Sequence, residues 1–296
     1  MDKSAHPEAS RTIGEQADSR TRQAAEEQSV VNATRLSARL IYEVIRRDGE
    51  DELERPVVSL IWSGLAAGLL ISLSVLGEAI LRTHLPDVPS AFLIENLGYS
   101  LGFLVVILGR MQLFTENTIT TVLPVVARRT AACFWRMGRL WAIVLLANVV
   151  GALIAAAFLA GTEVLSPEMR QSVHALSQHA VGMGAGQSFV RAIPAGVLVA
   201  GIVWMMPSAQ SNAFAIILAF TWLIAAGDFT HIIAGSVEMG YLLWLGDLAM
   251  APALFQFFLP VLAGNIIGGT AIFTLLAWGQ VKNEVVHGGV SDKGDE

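Results

Sequence analysis

The sequence predicts an all-α integral membrane protein with six transmembrane helices, arranged as two inverted three-helix repeats whose second and fifth helices are broken. Of the 296 residues, 54% are hydrophobic and 15% are charged, whereas soluble domains carry about 25% charged residues. Six apolar segments approach or exceed the roughly 20 helical residues that cross a bilayer core. Polar residues interrupt the second and the fifth of these segments.

The chain divides into four predicted regions. Residues 1–31 are polar and poor in large apolar side chains, so we expect a disordered cytoplasmic tail. Residues 32–57 show apolar side chains near helical spacing and are predicted to form an amphipathic cytoplasmic helix against the membrane domain. A solvated connector is the alternative interpretation of this segment. Residues 58–280 are the predicted six-span channel domain, and residues 281–296 are a second cytoplasmic tail.

The charges flanking the six apolar segments predict their orientation. Lys and Arg concentrate in cytoplasmic loops close to the ends of spans. Arginines precede the first segment and lie between the second and third, whereas the opposite loops carry few. Both termini are therefore predicted to be cytoplasmic, in an inner (plasma) membrane, which an even number of spans permits. The segments extend roughly over 58–81, 97–125, 140–161, 189–206, 211–244 and 254–279.

A short internal repeat supports two halves of three spans. Ala-Asn-Val-Val-Gly-Ala around Asn148 resembles Gly-Asn-Ile-Ile-Gly-Gly around Asn265. Thr115 precedes Asn148 by 33 positions, and His231 precedes Asn265 by 34. The interrupted segments thus occupy corresponding places, and halves of three spans must have opposite orientations. Paired interruptions in inverted halves indicate a binding site near the bilayer midplane.

The interruption of the fifth segment contains Asp228, Thr230 and His231 between glycines. Irregular backbone at membrane depth is tolerated where it lines a cavity or is buried in protein, and an ionisable residue there indicates a functional site. His231 is predicted to face a substrate pathway, while the other histidines lie in predicted tails or loops. A hydrogen-bonded structural histidine is the alternative. Either protonation state can donate a hydrogen bond to an anion, and a protonated ring can also transfer its proton.

The interruption of the second segment contains Thr115, Glu116 and Asn117. Its polar side chains are suited to ending one half-helix and capping the next, and the free N–H groups of a half-helix attract anions. Alternatively, these groups only satisfy the local backbone. An unpaired arginine at the bilayer centre costs at least about 2.5–3.5 kcal/mol, so Arg110 is predicted to pair with Glu116 or Asp228, or else to attract anions at the pore mouth.

Several small and amide residues are interpreted as structural. Asn148 and Asn265 are predicted to hold the broken segments by side-chain hydrogen bonds rather than to touch substrate. Close helix contacts are predicted at the glycines, which allow backbones to approach. These glycines are Gly64, Gly68, Gly151, Gly268 and Gly269.

Together the two interruptions resemble the signatures of the formate/nitrite transporter family of pentameric anion channels. Leu113, Phe114 and Thr115 match its second-span motif, and Phe229 to Ala234 match part of its fifth-span motif. The resemblance implies an aquaporin-like bundle in a homopentamer, small monovalent anions as substrates, a histidine–threonine pair at His231 and Thr115, and a constriction at Leu113 and Phe114. Thr230, Gln112, Glu116 and Arg110 depart from the family pattern, which indicates a divergent member. The predicted pathway residues are Arg110, Leu113, Phe114, Thr115, Glu116, Asn117, Asp228, Thr230 and His231.

Other classes of function find less support in the residues. The single cysteine, Cys133, permits no intrachain disulfide, and no metal or cofactor motif is present. We therefore expect no metal, no cofactor and no nucleic-acid partner, and the lipid bilayer as surroundings. An intramembrane enzyme would need a nucleophile with a base or a metal set; the neighbours Asp228, Thr230 and His231 imitate such a set only weakly. A non-transporting membrane scaffold or sensor remains the alternative function.

Overall fold

The computed structural model describes residues 36–288, which are helical almost throughout and contain no strand. The predicted disordered tail, 1–31, lies outside the described residues. The helices before the second break are α1 (Ala38–Glu54), α2 (Val57–Leu70), α3 (Ser72–His84), α4 (Ala91–Glu95), α5 (Ser100–Leu108), α6 (Phe114–Thr120), α7 (Val122–Arg128), α8 (Ala131–Gly161), α9 (Pro167–Val181), α10 (Ala185–Met205) and α11 (Ala213–Ala226).

The rest of the chain forms one helix after the second break and one long helix with two wider, π-helical turns. These are α12 (Ile232–Leu245), α13 (Met250–Pro252), the π-helical segment Ala253–Phe258, α14 (Leu259–Ile266), the π-helical segment Ile267–Thr274 and α15 (Leu275–Gly288). Helix α15 extends through residues 281–288, so the beginning of the predicted carboxy-terminal tail continues the last helix.

Five helical stretches are long and apolar enough to cross a membrane. They are Val57–His84, Ala91–Leu108, Ala131–Gly161, Ala185–Ser208 and Met250–Glu284. The predicted fifth span is instead divided into two shorter apolar helices, α11 and α12. The prediction of an all-α membrane protein is thereby confirmed for the described residues.

Two helix pairs approach closely enough for their backbones to touch. Helix α2 packs along α8, and α10 packs along α14. A Cβ atom at Gly68 would collide with the carbonyl oxygen of Asn148, and one at Gly196 would collide with that of Asn265. These glycines therefore set the distance between the helices, as small residues do in membrane bundles. All five glycines that the sequence indicated lie in such close contacts.

Helix α1 is amphipathic and packs against the membrane domain, within the segment predicted for such a helix. Its buried residues recur on one face and are Tyr42, Ile45, Gly49 and Leu53. A Cβ at Gly49 would collide with the carbonyl oxygen of Thr120. The guanidinium of Arg128 lies 2.8 Å from the carboxylate of Glu50. Apolar burial and two ion pairs, Arg128–Glu50 and Arg136–Glu54, thus hold α1 beside the end of the second predicted span and the start of α8.

Helix α9 was not predicted, because the segment between the third and fourth apolar segments is polar enough to resemble a loop. The Ser166 hydroxyl accepts a hydrogen bond from the Met169 N–H, and Pro167 occupies the first turn, where its missing donor does no harm. Val173, Leu176 and Val181 bury one face. His174 and His179 therefore lie on a helix rather than in a loop.

Both helix breaks begin with the same backbone turn. At the first, Arg110 N–H donates to Ile107 O at 3.0 Å and Met111 N–H donates to Val106 O at 3.0 Å. This pair of bonds is the Schellman motif that ends helices, and it requires a left-handed residue. Arg110 supplies it, with φ of 51°.

The second break repeats this geometry. Asp228 N–H donates to Ala225 O at 2.9 Å and Phe229 N–H donates to Ile224 O at 2.9 Å. Asp228 has a φ of 53° and so occupies the position that Arg110 occupies in the first break. Each interrupted apolar segment therefore ends its first half by the same device, and extended residues lead into the second half.

Candidate substrate pathway

The first break is held by the side chain of Asn148 on α8. Its Oδ1 accepts a hydrogen bond from the N–H of Phe114, the first residue of α6, at 2.8 Å. Its Nδ2 donates to the carbonyl oxygens of Gln112 and Gly64, both at 2.8 Å. One buried amide thus satisfies backbone groups that the interrupted helix would leave unpaired.

Asn265 on α14 holds the second break in the same way. Its Oδ1 accepts from the N–H of Ile232, the first residue of α12, at 2.8 Å. Its Nδ2 donates to the carbonyl oxygens of Thr230 at 3.0 Å and Ala192 at 2.8 Å. The residues that bond the two asparagines therefore correspond: Phe114 to Ile232, and Gln112 to Thr230.

The sequence indicated only that the two interrupted segments correspond, and this register gives the residue-level correspondence. Phe114 and Ile232 are equivalent because they bond the two asparagines, and so the residue before each is also equivalent. The counterpart of His231 is Leu113, not Thr115. Counting from the asparagine could not fix the offset, because the two intervals differ by one residue.

His231 and Thr115 meet where the two half-helices face each other. Thr115 Oγ1 lies 2.8 Å from His231 Nε2, and both side chains are almost fully buried. His231 Nδ1 accepts a hydrogen bond from the Ala234 N–H at 3.3 Å and so caps α12. Because Nδ1 accepts, the neutral ring carries its proton on Nε2 and donates it to Thr115. Phe103 packs edge-on against the imidazole, with ring centroids 4.9 Å apart.

A small cavity reaches His231 from one side, and we call it the Glu238 cavity. It has a volume of about 60 Å³. Its polar lining comes from α3, the start of α5, α9, the second break and α12. These residues are Glu78, Tyr99, His179, Asp228, Thr230, His231 and Glu238.

A larger cavity reaches Leu113 from the first break, and we call it the Glu116 cavity. It has a volume of about 610 Å³. Its polar lining comes from α1, the first break and α6, namely Asp48, Asp51, Glu52, Arg110, Gln112, Glu116, Asn117 and Thr120. Partial burial raises the pKa of the Asp48 carboxyl, and the Arg110 guanidinium opposes that shift.

The two cavities are separated by buried side chains. Leu113 borders the Glu116 cavity and His231 borders the Glu238 cavity. Leu113 and Thr115 are 0% exposed and His231 is 1% exposed. The conformation is therefore closed at this point, and a substrate would cross only when these side chains move.

Some predicted pathway residues occupy supporting positions. The Phe114 ring is buried and lies edge-on against Trp141, with centroids 5.6 Å apart. The Thr230 hydroxyl donates to Ser188 O at 3.0 Å. The Asn117 amide donates to Gln112 Oε1 at 3.0 Å. These contacts fix the two breaks in place.

The predicted pairing of Arg110 with Glu116 or Asp228 is wrong. Arg110 is exposed and forms no ion pair with residues 36–288. Asp228 instead lies 3.1 Å from Arg191 and 3.0 Å from His179. Arg110 and Asp228 are equivalent in the two breaks and border different cavities, so they cannot meet. Arg110 needs no partner because it is exposed to solvent rather than to the apolar interior.

Three residues beside His231 were missed by sequence reasoning. Glu78, Tyr99 and Glu238 line the cavity that leads to the imidazole. Glu238 is a single acid in the otherwise apolar stretch after His231, and Glu78 is a single acid in the first apolar segment. An isolated carboxylate in an apolar run was the signal available. Within residues 36–288, no group of three or more His, Cys, Asp or Glu side chains is arranged to hold a metal.

Comparison with known proteins agrees with this fold. The family model described as "Formate/nitrite transporter" matches residues 39–279. The inner membrane protein YfdC of Escherichia coli (strain K12) is 43% identical over 257 residues, covering 86% of this chain and 83% of that one. The formate channel FocA of Haemophilus influenzae is 28% identical over 243 residues, covering 73% of this chain and 84% of that one. A solved pentameric formate channel with formate bound superimposes with a TM-score of 0.66 at 22% identity, covering 76% of this chain and 97% of that one.

Proposed function

Because this chain belongs to the formate/nitrite transporter family, we propose that it moves small monovalent anions across the membrane, as a channel or a proton-coupled transporter. The pathway runs from the Glu116 cavity to the Glu238 cavity through the contact between Thr115 and His231. The family description is that of a transporter rather than an enzyme. Formate is the first substrate to test, because two of the similar proteins are described as formate channels.

The buried contact between Thr115 and His231 carries this proposal. It is the place where two half-helices and two cavities converge, and His231 presents Nε2–H there. A carboxylate or nitrite oxygen accepts such a hydrogen bond as readily as a threonine hydroxyl does, and charge-assisted bonds are the stronger ones. A substrate oxygen can therefore replace Thr115 as the acceptor while the substrate crosses.

The proposed membrane arrangement has six spans in two inverted halves, with α5–α6–α7 and α11–α12 as the broken spans. The matching asparagine contacts and matching turns support two related halves. Large apolar side chains such as Trp62, Leu146, Phe158 and Leu276 are exposed, which suits lipid or subunit contact. We further propose a homopentamer in the inner membrane with cytoplasmic termini and one pathway in each subunit, by similarity to the pentameric channel and to the inner membrane protein.

A non-transporting scaffold or sensor is the second candidate function. The observation that favours it is the closed barrier at Leu113, Thr115 and His231. A sensor would bind an anion in one cavity and would not release it on the other side. It would show ligand-dependent changes in stability without flux.

Anion uptake into proteoliposomes tests the proposal. The chain is reconstituted as wild type, His231→Ala and His84→Ala, and uptake of formate, nitrite, acetate, lactate and hydrosulfide is measured. We expect uptake of at least one anion by wild type and His84→Ala, and loss of uptake or altered selectivity in His231→Ala. The absence of wild-type flux for every anion, with a folded oligomer, would favour the sensor.

A further inference from the structure

Both ring nitrogens of His231 are engaged in hydrogen bonds, which limits its ability to carry a proton. Its Nδ1 accepts the N–H of Ala234, and its Nε2–H points at Thr115. If Nδ1 were also protonated, it could no longer accept the N–H of Ala234, and the side-chain cap of α12 would be lost. The imidazole is thus placed as a fixed hydrogen-bond donor, and a proton carrier would have to be another group.

Glu238 is a candidate that has no other role, on the same helix that His231 caps. It lies on α12, is 9% exposed, and borders the same cavity as His231. Its carboxylate forms no hydrogen bond or ion pair with any residue of 36–288. A buried carboxylate ordinarily has such partners, so its partner has to come from the cavity.

Tyr99 provides a second, independent polar group without a partner. It is 7% exposed, its ring packs against Phe103, and its hydroxyl forms no hydrogen bond within the described part of the chain. Tyr99 and Glu238 border the same cavity. The cavity therefore offers a carboxyl and a phenol to whatever occupies it.

The surrounding charges leave Glu238 without a cation. Arg191 is paired with Asp228 at 3.1 Å, and Arg82 is paired with Glu95 at 3.5 Å. The titratable groups that border the cavity on the neighbouring elements are Glu78 on α3, Tyr99 before α5, His179 on α9, and Asp228 and His231 at the second break. His179 already contacts Asp228. Charge balance at Glu238 thus requires that a proton or a cation enter the cavity, and an anion alone would be repelled.

We propose that Glu238 carries the proton with which the substrate anion is neutralised before it passes His231, a step that rests on the proposed function. The O–H bond of the Glu238 carboxyl breaks, an O–H bond forms on the anion, and Glu238 is left as a carboxylate. The neutral acid crosses the contact between Thr115 and His231. Solvent on the side of the Glu238 cavity returns a proton to the carboxylate. One proton and one anion therefore move together, and no net charge crosses.

Formate uptake and internal pH, recorded together in proteoliposomes under an imposed membrane potential, test this step. Protein-free liposomes give the background of formic acid diffusion. The variants are Glu238→Gln, which cannot release a proton, Glu238→Asp, and the exposed control Glu168→Gln. We expect wild type and Glu168→Gln to acidify the lumen as formate enters, independently of the potential, with slower uptake as external pH rises.

In Glu238→Gln we expect uptake to fall at least about tenfold, since a positioned proton donor accounts for about 10²–10⁴-fold in rate. The residual formate uptake of Glu238→Gln should no longer slow as external pH rises. Glu238→Asp keeps a carboxyl and should restore part of the lumen acidification that accompanies formate uptake. A merely structural role of Glu238 would lower uptake without changing the number of protons per anion. If Glu238→Gln does not form the wild-type oligomer, Tyr99→Phe decides instead, with coupled uptake expected to fall several-fold.

The outcomes separate this inference from the function on which it rests. Wild-type formate uptake that follows the membrane potential would leave the proposed function standing and overturn the role of Glu238. Coupled uptake that persists unchanged in Glu238→Gln would do the same. No wild-type uptake of any anion would overturn both.

Discussion

Asn148 and Asn265 form the same three hydrogen bonds, each around one helix break. In both cases Oδ1 accepts from the first N–H of a half-helix, and Nδ2 donates to one carbonyl within the break and to one on a neighbouring helix. All of these groups are buried. Removing one asparagine therefore leaves several backbone groups unpaired at once.

Substitution of either asparagine by alanine is expected to destabilise the protein by about 3 kcal/mol or more, since each buried group left unpaired costs about 1–3 kcal/mol. Thermal unfolding in detergent measures the effect. Asn212→Ala, at an exposed position, is the matched control and should unfold as wild type does. If only one of Asn148→Ala and Asn265→Ala proves destabilising, the two breaks are not held in equivalent ways.

Thr115→Val keeps the shape of the side chain and removes the acceptor that lies 2.8 Å from His231 Nε2. We expect substrate flux to fall about fivefold to tenfold, because one hydrogen bond is worth about 1 kcal/mol and this one orients the imidazole. Flux is measured in proteoliposomes with formate. Thr221→Val removes a buried hydroxyl that bonds only Ile217 O in its own helix and should leave flux unchanged. Equal losses in both variants would mean that the effect is one of packing.

Alanine at Gly68 or Gly196 is expected to lower stability by about 1–3 kcal/mol, the usual range for an overpacked core. In each case the new methyl group would meet the backbone carbonyl of the asparagine that holds a break. Gly138→Ala is the control, because a Cβ there would contact no other atom. Within a helix such as α8, alanine is also more stable than glycine by about 1 kcal/mol. The midpoint of thermal unfolding in detergent should therefore fall for Gly68→Ala and Gly196→Ala and rise for Gly138→Ala.

Arg110→Gly and Arg110→Val remove the same charge and should differ in stability. The left-handed backbone at Arg110, with φ of 51°, suits glycine and strains a β-branched residue. We expect the valine variant to be less stable than the glycine variant by about 1–2 kcal/mol. Equal midpoints would show that the turn adopts another conformation in the variants.

Much of the architecture follows from the sequence, because the signals are strong ones. Long apolar runs with polar interruptions indicated the membrane class and both breaks, and the repeated asparagines indicated which elements correspond. The contact between His231 and Thr115 was inferred by family resemblance, and the structure places these side chains together.

What the sequence did not reveal depends on three-dimensional placement. The partner of Asp228 is Arg191, 37 residues away on another helix, and nothing in the spacing points to it. Glu238 is separated from His231 by two helical turns, and only the cavity between helices shows that they share a space with Glu78 and Tyr99. Helix α9 was missed because its apolar face is narrow, and packing rather than hydropathy stabilises it.

The matched asparagines also bear on how this protein could evolve. Each asparagine bonds backbone atoms only, so its hold on the break does not depend on which side chain stands just before the half-helix. Leucine occupies that place at Leu113 and histidine at His231, and the helix after Leu113 forms without any side-chain cap. A single codon at either place can therefore change what a permeating molecule meets, while the inherited frame stays intact.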